Sequence, residues 1–340
     1  MKKIAPLILT LFAFNASAID IKSRLLDFQQ IQEELKCSTE YKYVASAFKV
    51  KHRETINCSD VDWAEKALSK VANLKPDAPM VNLELLTRDN GASFDIGETV
   101  RIPLHLTFTN QWGQVFNSYA IGTDAILYHE YSHAIFGKRI GKLFYPKLKA
   151  LAERLSRFKI YRQKAYAEGN PRNVVEYYTK QIESIEERVK THNELEKYHL
   201  SSPYNELFAD LMAVLVTNNR NAIFNALYYD EMTDEAYQLI KLRSFEDQNT
   251  KYDNRGLYEE HGELALVRQY IGEEILPKIF KNKNEEELKK ELIKIVLDSI
   301  EAQMDERIRK NAFKISPMHS NTSLIEEIKQ RYLRKTNFID

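Results

Sequence analysis

The chain has 340 residues, 44% of them hydrophobic and 29% charged, a balance typical of a folded protein long enough for one large or two ordinary domains. Forty-nine basic residues offset forty-nine acidic ones. No overall field therefore argues for nucleic acid or a strongly charged membrane surface as the partner, and binding must be local.

Residues 1–18, MKKIAPLILTLFAFNASA, run from a basic start (Lys2, Lys3) through a short apolar stretch (Ile4 to Phe14) to a small-residue end at Ala16-Ser17-Ala18. That order predicts a secretory signal peptide and a mature chain beginning near Ile19, exported to a periplasm or to the medium. The apolar run is shorter than the roughly 20 residues that cross a bilayer, and no later stretch is long and apolar enough, so no stable membrane insertion is expected. Two cysteines remain, Cys37 and Cys58, and in an oxidising compartment they are expected to pair. A loop of that size would stabilise the fold by roughly 3 kcal/mol in the chain-entropy model. The alternative is two free buried thiols. A structural zinc is a poor fit, since it needs four ligands and the nearby His52 adds only one.

From residue 19 to 75 the apolar spacing of Leu25, Leu26, Phe28, Ile31 and Leu35 predicts helix, with another around Trp63 to Val71, closed by Pro76 and Pro79. Residues 76–137 begin with alternation and turn signals at Asp89-Asn90-Gly91 and Ile96-Gly97, the one clear β-rich stretch, and continue into a helix for which Thr123-Asp124 is the expected N-cap. Between 138 and 200, two charged amphipathic patterns turn at Glu168-Gly169-Asn170-Pro171, predicting a helical hairpin inserted beside the rest, its charges serving mainly as a solvated face. A helix break is expected at Ser201-Ser202-Pro203, and residues 201–340 read as a helical C-terminal domain. The predicted fold class is α+β, mainly helical with a small sheet.

The chemistry concentrates in AILYHEYSHAIFG, residues 125–137. Positions i and i+4 share a helix face, so His129 and His133 can offer two imidazoles to one tetrahedral Zn²⁺. Glu130 can reach the open position of such a metal, where it would hold and deprotonate water rather than ligate. A bland alternative is that both histidines only satisfy buried polar groups. A second stretch, SSPYNELFADLMAVL from Ser201, weighs against it: Glu206 and Asp210 are again i and i+4 in an apolar run. Glu206 is the third ligand to expect, and Asp210 could accept a hydrogen bond from the far nitrogen of a metal-bound histidine.

These two stretches, H-E-x-x-H at His129, Glu130 and His133, then N-E-x-x-x-D at Asn205, Glu206 and Asp210, resemble the gluzincin metallopeptidases, the thermolysin-like group. The resemblance implies a zincin-like fold, zinc on His129, His133 and Glu206, Glu130 as general base, and Asp210 behind a ligand. A metzincin pattern is excluded, because Phe136 and Arg139 stand where it needs Gly and His. Peptidases of this kind bind substrate along an edge strand, and Asn90, Ala92 and Phe94 are similar to the start of that strand, making Ala92 a substrate-binding expectation. They also place a histidine or tyrosine at the oxyanion; Tyr258 and His261 are the candidates, with Arg268 expected to line the cleft for substrate, seven positions from His261 on one helical face. The function expected is a secreted, zinc-dependent endopeptidase acting on peptide or protein substrates. Two other readings stay open. One is an exported, zinc-stabilised binding or assembly protein that grips a partner with the hairpin. The other is a zinc peptidase of envelope quality control, whose second motif also reads E-x-x-A-D, as from Glu206 to Asp210.

Overall fold

The computed structural model describes residues 48–51, 58–89, 91–94, 99–109, 112–117, 120–190, 193–246, 259–313 and 316–336. The predicted signal peptide (1–18), Cys37, Asn90, Tyr258 and the apolar pattern from Leu25 to Leu35 lie outside the described residues.

Alternating apolar residues build the sheet. Val81, Leu83 and Leu85 of β2 (Val81–Asp89) and Val100, Ile102 and Leu106 of β4 (Thr99–Thr109) are buried. Parallel pairing sets Leu85 beside Ile102, and β1 (Phe48–Lys51) pairs in parallel with Val81–Glu84. The crossover between β1 and β2 contains α1 (Cys58–Leu74), as a parallel connection requires. The sheet order is β1-β2-β4-β3, with β3 (Ser93–Phe94) antiparallel on the outer side of β4 and β5 (Val115–Asn117) pairing with the far end of β4. β1 corrects the helical reading of residues 19–75. Four residues are too few to show a period, and pairing with a strand some thirty positions away decides their state. Cys58, at the start of α1, is disulfide-bonded.

Helix α2 (Ala120–Arg139) carries the first motif through the core, with Ala125, Leu127, Tyr131, Ala134 and Phe136 all buried. A helix apolar on every side must be enclosed, and α1, β4, α5 (Asn193–Thr217) and α6 (Ala222–Leu227) enclose it. It starts three residues before the expected cap. Asp124 lies inside it and accepts a hydrogen bond from Trp63 Nε1 at 2.6 Å, tying α1 to α2. Gly137 does not end the helix either; a Cβ there would lie 2.9 Å from the Tyr145 ring, so the glycine makes room for that tyrosine.

The predicted hairpin is present: α3 (Tyr145–Ala167) and α4 (Arg172–Lys190) pack together around Ala165, Val175, Ile182 and Ile185. The turn between them sits on Gly169 at φ 65°, a conformation that favours glycine.

The expected break at Ser201-Ser202-Pro203 is absent, because α5 runs unbroken from Asn193 through Pro203. Proline removes one helical donor, and the carbonyl that loses it belongs to exposed His199, where water can serve. Tyr204, Leu207, Phe208 and Leu211, all buried, hold the helix in place from the other side. Helix α7 (Asp234–Lys241) follows, capped by Thr233, whose hydroxyl accepts from Ala236 N at 3.2 Å.

The C-terminal residues belong to the same core, which runs from Val61 to Ile328. There α8 (Ala265–Tyr270) passes into a π turn (Ile271–Ile275) and then α9 (Leu276–Ile279), followed by α10 (Glu285–Arg309) and α11 (Pro317–Thr336). Asn321 of α11 accepts from Val267 N at 3.1 Å and donates to Glu263 O at 2.6 Å, pinning the segment that carries His261 and Arg268. Gly272 lies so close to the chain beside it that a Cβ would sit 1.6 Å from the Phe245 carbonyl oxygen. Gly272→Ala should therefore destabilise the fold by about 3 kcal/mol, the upper end for a forced overpacking. An unchanged urea midpoint would contradict that close approach.

Candidate metal centre

His129 and His133 stand one turn apart on α2, and their rings meet edge to face with centroids 4.5 Å apart and Nε2 atoms 2.9 Å apart. Glu206 of α5 faces both. Its Oε2 lies 3.4 Å from His129 Nε2 and its Oε1 3.5 Å from His133 Nε2. His129, Glu130, His133 and Glu206 are each buried to within 8% of full enclosure, so these polar groups need partners that water cannot supply.

Behind His129, fully buried Asp210 places Oδ1 2.9 Å from Nδ1. With the proton on Nδ1 donated to that carboxylate, the Nε2 lone pair is left for the site. Burial opposes charge on His129, but the bonds to Asp210 and Glu206 outweigh it and raise its pKa to about 9, so a metal ion would take the place of the Nε2 proton. Burial also works against the Glu206 carboxylate, yet the surrounding His261, His133 and His129 hold it well below the usual range. Two imidazole nitrogens and a carboxylate drawn this close fit one cation. Donors about 2.0 to 2.1 Å from a tetrahedral ion stand roughly 3.3 Å apart, close to the separations of 2.9, 3.4 and 3.5 Å found here. The residues present can hold a metal ion. The far nitrogen of His133, Nδ1, has no hydrogen-bond partner, and neither does Asn205 Oδ1; Asn205 nonetheless bears on the His133 charge and is the side chain placed to receive that nitrogen's proton.

The other expected residues divide. His261 reaches the site, with Nε2 3.5 Å from Glu206 Oε2, while its Nδ1 pairs with the Glu259 carboxylate. Glu259 also accepts from the backbone N–H of His261 at 3.0 Å and of Gly262 at 3.2 Å, so one carboxylate shapes the turn and orients the ring. Burial works to lower the His261 pKa, and Glu206 and Glu259 raise it overall. His261 lies ahead of α8 rather than on it, so the shared helical face with Arg268 is corrected. Arg268 does not line a cleft. It is fully buried, with Nε 2.9 Å from Asp210 Oδ2, so its charge is spent on the carboxylate behind His129. Ala92 is half-buried just ahead of β3, and Phe94 of that edge strand stacks near His133 at 6.5 Å between centroids.

Two residues escaped the sequence reading. Arg243, which follows α7, donates from Nη2 to Asp210 Oδ1 at 2.6 Å and to Glu206 Oε2 at 3.2 Å. Its only signal was a cation between Leu242 and Phe245, both buried. Tyr145, the first residue of α3, fills the space left by Gly137 and Gly141. Burial raises its hydroxyl pKa, and the neighbouring Glu206 charge raises it further. The hairpin thus supplies a side chain to the rim of the site. No family model, curated protein or solved structure matches the chain.

Proposed function

We propose that the protein is an exported zinc metallopeptidase of the gluzincin type, with a zincin-like scaffold, hydrolysing bonds within peptide or protein substrates. One observation carries the reading: His129 Nε2, His133 Nε2 and the Glu206 carboxylate converge in a buried space, with Asp210 behind His129 and Glu130 adjoining. Zinc bound there would polarise the scissile carbonyl and bring its water to a pKa of about 7.

The chain's own groups supply the rest. Glu130 takes the proton of the attacking water and passes it to the leaving amine. His261, oriented by Glu259, donates from Nε2 to the carbonyl oxygen as charge develops on it, and Tyr145 lies near enough to Glu206 to feel its charge. Asp210 keeps the His129 proton on Nδ1. The backbone around Ala92 and the edge strand β3, next to His133, offers a peptide the hydrogen bonds of an added strand.

A second reading rests on the same His261. Were its Nε2, 3.5 Å from Glu206 Oε2, a fourth ligand, the site would be closed and the metal structural, as in an exported binding protein. The two part on one measurement: metal content, and digestion of an unbiased peptide library, before chelation, after it, and after zinc is restored. The peptidase reading expects about one zinc per chain, cleavage that stops on chelation, and recovery with zinc. Stoichiometric zinc with no cleavage of any peptide would favour the closed site.

A further inference from the structure

The hairpin gives Tyr145 to the metal site, but most of its surface serves neither that site nor the core. Helix α3 carries seven Lys or Arg residues against Glu153 alone, in a chain of zero net charge. Three of the seven are paired: Lys147 with Glu194 at 2.8 Å, Lys159 with Glu186 at 3.0 Å and Lys164 with Glu168 at 3.7 Å. Lys149, Arg154, Arg157 and Arg162 form no ion pair among the described residues.

Part of this charge forms a face. Lys149 and Arg157 fall with Ile160 and the paired Lys164 within about 80° of one another around the helix, Arg154 lies beside them toward the aromatic row, and Arg162 is on the far side; buried Leu148 points away from this face. Beside this row runs a chain of rings. Phe158 meets Tyr161 at 6.4 Å, Tyr161 meets Tyr178 at 5.8 Å and Tyr178 meets Tyr177 at 5.5 Å, with Arg154 over the Phe158 ring. Tyr161, Tyr166 and Tyr177 are exposed.

Charge selects an anionic partner, and composition selects its kind. Adsorption to a lipid surface draws on Trp, Phe or Leu entering the acyl boundary, and among the described residues the large apolar side chains exposed on this hairpin are Ile160 and three tyrosines. Exposed Tyr beside Arg is instead the composition that carries binding energy between proteins. We propose that the α3 face of the hairpin is a docking surface for an acidic segment of a polypeptide partner. Its cations meet the partner's carboxylates and its tyrosine rings meet the apolar side chains between them. Docking at this face does not depend on the metal.

The test measures binding of a fluorescent peptide of alternating Glu and Leu to the full-length protein, with and without a chelator. Its Lys-for-Glu counterpart, vesicles containing phosphatidylglycerol and a single-stranded DNA oligonucleotide serve as competitors. The acidic peptide should bind best, equally with and without chelator, and more weakly as salt rises. Lys149→Glu/Arg154→Glu/Arg157→Glu should weaken it by more than about tenfold, and Tyr161→Ala/Tyr177→Ala, which leaves the charge unchanged, by about tenfold. Should the charge-reversed variant fail to fold, Arg157→Glu alone carries the test, with about threefold weakening expected. The proposal is overturned if the acidic peptide binds no better than its basic counterpart, if the tyrosine pair is silent, or if vesicles or DNA displace the peptide from this face and bind it more tightly.

Discussion

Glu130→Gln is expected to leave zinc content and fold close to wild type while lowering peptide cleavage by about 10² to 10⁴, the range for losing a general acid–base group. The change keeps the shape of a side chain that is only 8% exposed within α2, so packing against the apolar neighbours is retained. It removes a negative charge that acts on His133, and with it a carboxylate that adjoins both histidines without belonging to the ligand set. Glu206→Gln makes the contrast, because Glu206 faces both imidazoles and its loss should lower metal content together with turnover. In the closed-site reading Glu130 is an ordinary helix residue, and its amide should change nothing measurable. Zinc stoichiometry and cleavage of one library-derived peptide, measured for wild type and both variants, decide between them. Cleavage that survives intact in Glu130→Gln, with zinc bound, would end the proposed mechanism.

What could be read from the sequence was local. The i, i+4 spacings of His129 with His133 and of Glu206 with Asp210 follow from one helical turn each, and the apolar setting of both motifs foretold burial; the structure brings all four side chains together. The hairpin was legible for the same reason, since its apolar positions repeat within each helix. Contacts made at a distance were not. Arg243 meets His129 across 114 positions, and among forty-nine basic residues nothing marks it as the one whose charge is needed inside. Tyr145 was hidden in the same way among nineteen tyrosines; its clue was the pair Gly137, which read as a helix end, and Gly141, which together leave a space for its ring. Pro203 shows the opposite error, a strong local signal overridden by packing. A serine pair and a proline spell a helix start, but Tyr204 is tied to α10 through Gln303 at 2.6 Å and Arg307 at 2.8 Å, and those contacts keep the helix whole.

Asp210→Asn should be the most damaging isosteric change in the molecule. The wild-type carboxylate, fully buried, receives Arg243 at 2.6 Å, Arg268 at 2.9 Å and His129 Nδ1 at 2.9 Å, so one negative charge answers two guanidinium groups and orients a ligand. Burial would push its carboxyl pKa up, but Arg243, Arg268 and His129 together hold it below the usual carboxylate range. The amide is neutral and presents a donor to groups that already donate. Stability should fall by about 3 to 5 kcal/mol, the cost of breaking a buried pair by removing one partner. Zinc affinity should drop by about 10- to 100-fold as His129 loses the acceptor that fixes its tautomer. The sign with pH follows from the lowered pKa: the stability Asp210 contributes is present at neutral pH and lost as pH falls below the ordinary carboxylate range, so the gap between wild type and variant should narrow in acid. Adding Arg268→Met to Asp210→Asn removes the stranded cation, since Arg243 keeps Glu206, and should restore part of the stability without restoring zinc affinity. Chemical denaturation of the chelated proteins, with zinc titration of those that fold, separates the two effects. If Asp210→Asn alone binds zinc as tightly as wild type, the carboxylate does not support His129; if the double variant is no more stable than the single one, the cost does not arise from the buried arginines.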